Sequence, residues 1–379
     1  MTLQLTDLYY YSFLAMFSVI VFTNLLPSDW VIITRPFVII SSLLSIVLLN
    51  NLKGVFYVLI LYIFILIYTL SPLVFSSVNP SYLANNTRYL IYFVLIFGLI
   101  RILESTPLER LLYSMSKVFV VKLIIVGMIS LNMNLLGGLF SNYILNGMDL
   151  VVHELFGQYR ILDLYLFLFP LVFLYVENKS RKVKILVHSL LFFNILSSIT
   201  FGIIFSYLIV MSLRYKYFRS ILIFVIFAIF FIYYDYFISL YDNFLLEKSV
   251  SIEVKLNQFL FVFDNISIWG QGLGQSISIE GRVDSMLENV FIYWFIVYGI
   301  IGMIFMVTFF ILFPFYICFQ YRKNISLQIL FYVHLSVLLV SASNPFLESV
   351  IGIIPMMIIV SFFICNGALF KEKTSKLYF

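Results

Sequence analysis

The chain has 379 residues, 63% of them hydrophobic and 11% charged, with a mean hydropathy of +1.08 and a formal net charge of +5. A soluble domain carries about 25% charged residues, and no water-soluble core buries this much apolar surface, so lipid is the expected solvent. The basic residues are scattered over short loops, which argues against nucleic-acid binding and fits the positive-inside bias of a membrane protein.

The apolar segments are of helix length rather than the alternating ten-residue stretches of a membrane barrel, so an all-α polytopic bundle is expected over 1–379. Spans are expected near 8–26, 31–49, 55–75, 89–103, 118–136, 161–176, 184–197, 199–213, 219–237, 290–318, 326–341 and 350–367. The start, "MTLQLTDLYYY", lacks the basic region of a cleavable signal, so the first helix is expected to remain. Residues 184–213 read as one long helix or two short ones, and charge decides between them. With two helices and a cytoplasmic N-terminus, the inner loops hold "KSRKVK" (179–184), "RYKYFR" (214–219) and the basic C-terminus. The outer side then keeps Arg35, Arg88, Arg160, Lys248, Lys255 and Arg282. One helix would reverse the later loops and erase that bias, so about twelve spans with both ends cytoplasmic is the better reading. Lys122 then falls about one turn inside the fifth span, from which it would snorkel to the inner surface.

Two long outer segments stand apart, at 137–160 and 239–289. Loops of this length are usually functional or disordered. Within the second, "VSIEVKLNQFLFVFDNI" has the amphipathic character of a helix lying along the interface. Its continuation, "GQGLGQSISIEGRVDSMLEN" (270–289), is polar and glycine-rich. Gly270, Gly272 and Gly274 superficially match a dinucleotide fingerprint, but no strand–helix unit surrounds them and nucleotide binding is rejected. Such glycines mark a backbone that turns unusually, re-enters, or approaches something closely.

Arg88, Arg160 and Arg282 each sit near the outer end of a span, against the topological bias. An arginine there is either a headgroup anchor or a planar fork for phosphate oxygens. Acidic neighbours are Glu154 and Asp163 around Arg160, and Asp284 and Glu288 after Arg282. Glu288, and Glu348 after "SNP" (343–345), read either as a general base at a dehydrated edge or as an acid stabilised by a helix N-terminus. His153, His188 and His334 fit no metal-ligand spacing, and Cys318 and Cys365 support neither a disulfide framework nor a thiolate site. Lys122 and Asp235 do not form a mid-membrane relay. No cofactor or metal is expected.

At "WGQGLG" (269–274), followed by "ENVFIYWFIVYGIIG" (288–302), the chain resembles the O-antigen polymerase and ligase superfamily of bacterial inner membranes. Those relatives show a glycine-rich segment, a His-Asn pair and a helix running into Gly-(Ile/Leu)-Ile-Gly. Here the pair is Glu288-Asn289. The missing histidine points away from the ligases and towards the polymerase (Wzy-type) branch. "SSITFGIIFSYLIVMSLRYKYFR" (197–219) is similar to the family's short-helix segment, with Ser198-Ile199 where a Ser-Arg pair is common. "SNPFLES" (343–349) resembles its late Asn-Pro turn.

The resemblance implies a GT-C-like, metal-independent glycosyltransferase. It would move a growing glycan from undecaprenyl pyrophosphate onto another lipid-linked repeat unit at the periplasmic face, often beside a chain-length regulator protein. On that reading Arg160 and Arg282 hold the pyrophosphate and stabilise charge on the leaving group, and Glu288 deprotonates or orients the acceptor hydroxyl. Arg88, Asp163, Gly272, Gly274, Asp284, Asn289, Asn344 and Glu348 complete the expected substrate contacts. The rival readings are an O-antigen ligase or other polysaccharide transferase, a lipid-linked oligosaccharide flippase, and a cation-coupled transporter. The last would want discontinuous helices with ionisable groups at mid-membrane.

Overall fold

A computed structural model describes residues 2–25, 33–49, 52–75, 80, 83, 92–135, 151–155, 158–198, 200–219, 253, 256–274, 277–279, 282–284, 287, 289–342, 347 and 349–375. The fold is helical. In chain order the helices are α1 (Thr2–Val21), α2 (Thr34–Val47), α3 (Leu52–Phe75), α4 (Leu95–Ser105), α5 (Leu108–Leu135), α6 (Leu171–Glu177), α7 (Arg181–Ser198) and α8 (Phe201–Arg214). There follow α9 (256–265), α10 (Val290–Val307), α11 (Phe313–Gln320), α12 (Ile325–Ser341) and α13 (Val350–Ser375). Two antiparallel hairpins are added, β1 (Val151–Leu155) with β2 (Gln158–Leu162) and β3 (Ile277–Ile279) with β4 (Arg282–Asp284).

Among the described residues, two helical stretches are long and apolar enough to cross a membrane: Leu108–Asn132 and Val290–Gln320. The surface agrees with an apolar solvent. Along α3, Phe56, Leu59, Ile63, Leu66, Ile67 and Leu70 are exposed at helical spacing, while Val58, Leu61, Ile65 and Tyr68 are buried on the opposite side. In water such a stripe would be an unusually large apolar patch.

The segment 184–213 contains two helices, α7 ending at Ser198 and α8 beginning at Phe201. Other boundaries move. The fifth expected span begins ten residues earlier, at Leu108. The sixth starts not as an α-helix but as a 3-10 helix, Leu164–Leu168, before α6. The expected loops at 137–160 and 239–289 contain the two hairpins, and the expected interfacial helix includes α9, whose Leu256, Phe259, Leu260 and Phe263 are exposed on one face. The expected span 219–237 lies outside the described residues, apart from Arg219 at its start.

The helices pack as one core. Helix α1 lies against α2, α4 and α5; α5 against α6 and α7; α8 against α12; and α13 against α4 and α12. Small hydroxyls join some of these faces, as expected where apolar solvent gives no drive to bury apolar side chains. Ser45 of α2 donates to the Val94 carbonyl and accepts from the Gly98 amide at the start of α4, and Ser206 of α8 pairs with Ser336 of α12.

Helix α10 is broken. At Gly299 φ is 63 and ψ is -167 degrees, and the element divides there into Val290–Tyr298 and the run from Ile300. That backbone region is essentially open only to glycine. The loop after α9 repairs the break. Gln271 and Gly272 amides donate to the carbonyls of Ile296 (2.7 Å) and Val297 (2.9 Å), while Ile300 and Ile301 amides donate to Ser267 (3.1 Å) and Ile268 (3.3 Å). The Leu273 amide donates to the Tyr68 carbonyl of α3 (3.2 Å). Each half-helix end therefore finds in the loop the partners it lost, which an apolar interior requires.

This contact is backbone on backbone. A Cβ on Gly270 would overlap the Val297 carbonyl and the Gly299 amide, and a Cβ on Gly299 would overlap the Gly270 amide. Both residues have positive φ. Gly270→Ala and Gly299→Ala should each cost about 3 kcal/mol or more, from strain plus the clash. Gly54→Ala should cost far less, because its nearest obstacle is the flexible Ile100 Cδ1. Thermal unfolding midpoints in detergent check this. Equal shifts for all three would contradict the docked-loop account.

Candidate functional site

Each candidate arginine lies on the second strand of a short hairpin, Arg160 on β2 and Arg282 at the start of β4. Each strand runs on towards a capped helix start. After β2, Asp163 caps the 3-10 helix by accepting from the Tyr165 amide (3.1 Å). After β4, Asn289 caps α10 by accepting from the amides of Phe291 (2.9 Å) and Ile292 (3.2 Å). Such side-chain caps satisfy amides that have no partner within the helix.

Register places His153 opposite Arg160, and Tyr159 opposite Glu154. The acid expected to flank Arg160 is thus one register position away from it. In the second hairpin Ile279 pairs with Arg282 and Ile277 with Asp284. Strand β2 lies against α5 and α7.

Asp163 is not an exposed loop acid. It is fully buried and forms an ion pair with Lys122 of α5 at 2.6 Å, the lysine being fully buried too. The expectation that Lys122 snorkels inward is therefore overturned. The helix already starts at Leu108. Lys122 thus stands fourteen residues, roughly four turns, along it, too deep for its stem to reach the near end. The ammonium also sits 4.4 Å above the Tyr165 ring. Such a cation–π contact is strongest where water is excluded. Asn24, after α1, adds a third tie, its Nδ2 donating to Asp163 Oδ1 at 3.1 Å. One carboxylate oxygen thereby joins α5, the segment after α1 and the start of the 3-10 helix.

The remaining expected residues divide clearly. Gly272 and Gly274 belong to the buried loop docked on α10, both with positive φ. Asn289 uses its side chain for structure at both ends, capping α10 and donating from Nδ2 to the Ala342 carbonyl (2.8 Å). Arg160, Arg282 and Asp284 are placed by their strands. Arg88, Glu288, Asn344 and Glu348 lie outside the described residues.

Sequence reasoning missed two features. The hairpins had one signal, the two-residue connections Phe156-Gly157 and Glu280-Gly281, each ending in glycine. The polar tie of His334 had none. Its Nε2 donates to the Phe310 carbonyl (2.7 Å) where α10 passes into α11 through a π-helical turn, Thr308–Leu312. Among the described residues no group of His, Cys, Asp and Glu could hold a metal ion.

Breaking the buried pair from one side leaves an uncompensated charge. Lys122→Met and Asp163→Leu should each cost about 3–5 kcal/mol, whereas the double variant should recover most of that. About 1 kcal/mol should remain lost with the cap. Unfolding midpoints of the three variants decide it, and simple addition of the single costs would rule out a coupled pair. A scan against protein-family models and searches of curated proteins and of solved structures found no match to this chain.

Proposed function

We propose that the chain is an integral membrane glycosyltransferase that polymerises lipid-pyrophosphate-linked glycan repeat units. On this reading about twelve spans form a single transmembrane domain in a bacterial inner membrane, with both termini cytoplasmic and the two hairpins on the periplasmic side. The growing glycan leaves its undecaprenyl pyrophosphate and joins the non-reducing-end sugar of a new lipid-linked unit, in the manner of the O-antigen polymerases that the sequence resembles. A chain-length regulator is the expected protein partner.

The observation that carries the reading is the repeated placement of Arg160 and Arg282, each on the strand that feeds a capped helix start. A short strand fixes an arginine's backbone beside the membrane edge more firmly than a free loop does. A lipid pyrophosphate needs cationic, bidentate donors at that edge, and stabilising charge on the departing pyrophosphate is the largest single contribution such a site can make. Glu288 remains the proposed group for the acceptor hydroxyl, with Asp284, Asn344 and Glu348 assigned to holding sugar. Arg88 is a further phosphate ligand.

A transporter reading draws on the broken α10 and the buried Lys122–Asp163 pair. In transporters, however, half-helix ends face the substrate or ion. Here four backbone groups at the break are bonded to residues 267–272 of the same chain.

Deleting the gene in its source strain should collapse the surface lipopolysaccharide ladder to core plus a single repeat unit. Loss of every repeat would point instead to ligation or flipping. Restoring the gene as Arg160→Ala or Arg282→Ala should lower polymerisation by about 100-fold or more at normal expression, the usual cost of one lost charge-stabilising donor. Wild-type ladders from both variants would sink the assignment of the site.

A further inference from the structure

The Asp163 carboxylate is used unevenly. Oδ1 accepts three hydrogen bonds, from Lys122 Nζ (2.6 Å), Asn24 Nδ2 (3.1 Å) and the Tyr165 amide (3.1 Å). Oδ2 accepts none from the described residues, although the side chain is fully buried. Asn24 repeats the pattern. Its amide nitrogen is bonded to the carboxylate, while its Oδ1 is buried and bare. A buried acceptor without a partner loses the hydrogen bonds it made in water, a charged one most of all, and the cluster contains two.

The chemistry of the two atoms selects their partner. Both are acceptors, so the partner donates hydrogen. A cation is disfavoured, because Lys122 already neutralises the single carboxylate and a second positive charge would be buried unpaired beside the first. A neutral O–H group satisfies the oxygens without adding charge.

We infer that Asp163 Oδ2 and Asn24 Oδ1 mark a buried site for a hydroxyl donor beside the Lys122–Asp163 ion pair. The donor is either a water molecule or a carbohydrate hydroxyl. Position gives the second source meaning: Asp163 follows β2 directly, three residues beyond Arg160, so a hydroxyl held there lies at the foot of the arginine hairpin. The carbohydrate source rests on the polymerase reading, and the water source does not.

The test is a pair of density maps of the protein in lipid nanodiscs, at a resolution that shows ordered water, with and without lipid-linked oligosaccharide extracted from the same cells. The expected result is density within about 2.6–3.2 Å of Asp163 Oδ2, the range of a hydrogen bond. Density already there without oligosaccharide identifies water. Density that appears only with oligosaccharide identifies a substrate hydroxyl. Absence from both maps, with Lys122 and Asp163 ordered, overturns the inference. The Lys122→Met/Asp163→Leu variant supplies a second reading, since both maps should lose that density while the surrounding helices superpose. Density that persists unchanged in this variant belongs to another group and overturns the site as well. A gene deletion that spares the lipopolysaccharide ladder would remove the polymerase reading and leave the water arm standing.

Discussion

Backbone satisfaction is the constraint on which the other features rest. A helix interrupted in an apolar interior leaves amides and carbonyls with nothing to bond, and several kcal/mol are at stake for each. Helix α10 meets that demand through the loop over 267–272, which supplies two carbonyls to one half and two amides to the other. The exchange works only because Gly270 and Gly299 let the two backbones touch. It also ties α9 and its exposed apolar face to α3 and α10, since the same loop reaches the Tyr68 carbonyl. The glycine-rich stretch that stood out in the sequence is therefore a structural clasp.

The second fixed point is electrostatic. A buried ion pair is weak evidence for stability, because desolvation offsets most of the attraction, and hydrophobic replacements often do as well. Its effect is geometric. Lys122 and Asn24 converge on one carboxylate oxygen at the point where β2 ends and the 3-10 helix begins. The hairpin carrying Arg160 is thereby anchored to α5 and to the segment after α1. Asn289, five residues beyond the strand that carries Arg282, caps α10 and holds the Ala342 carbonyl beyond α12.

What the sequence revealed follows from which forces act locally. Composition and helix-length apolar runs indicated the helical class. The basic residues at 179–184 and 214–219 favoured two helices over one between them, and two helices, α7 and α8, are found there. The close backbone approach at Gly270 was legible for the same reason, since glycine runs have few other uses. Lys122 was misread because its depth depends on where α5 starts. "LERLLYSMSK" (108–117) reads as a polar approach to the span, yet it is already helix. The pairing with Asp163 is 41 residues away along the chain and leaves no local trace. Strands of three and five residues are too short for periodicity to register against the surrounding hydrophobicity.

The broken helix is the feature on which enzyme and transporter readings differ most sharply. A discontinuous helix serves transport when its free ends carry unpaired dipoles that attract an ion or a carboxylate. In α10 the carbonyls of Ile296 and Val297 and the amides of Ile300 and Ile301 are already spent on the loop. An ion could bind there only if the loop first withdrew, exposing backbone groups on both sides and losing the Leu273–Tyr68 bond as well. Two of the buried acceptors left bare among the described residues, Asp163 Oδ2 and Asn24 Oδ1, lie away from that break, where β2 ends. Asp163 directly follows the strand that carries Arg160, so the bare oxygen and the proposed phosphate ligand are three residues apart along the chain. Passage of an ion along α10 would have to begin by undoing backbone bonds that the fold has already made.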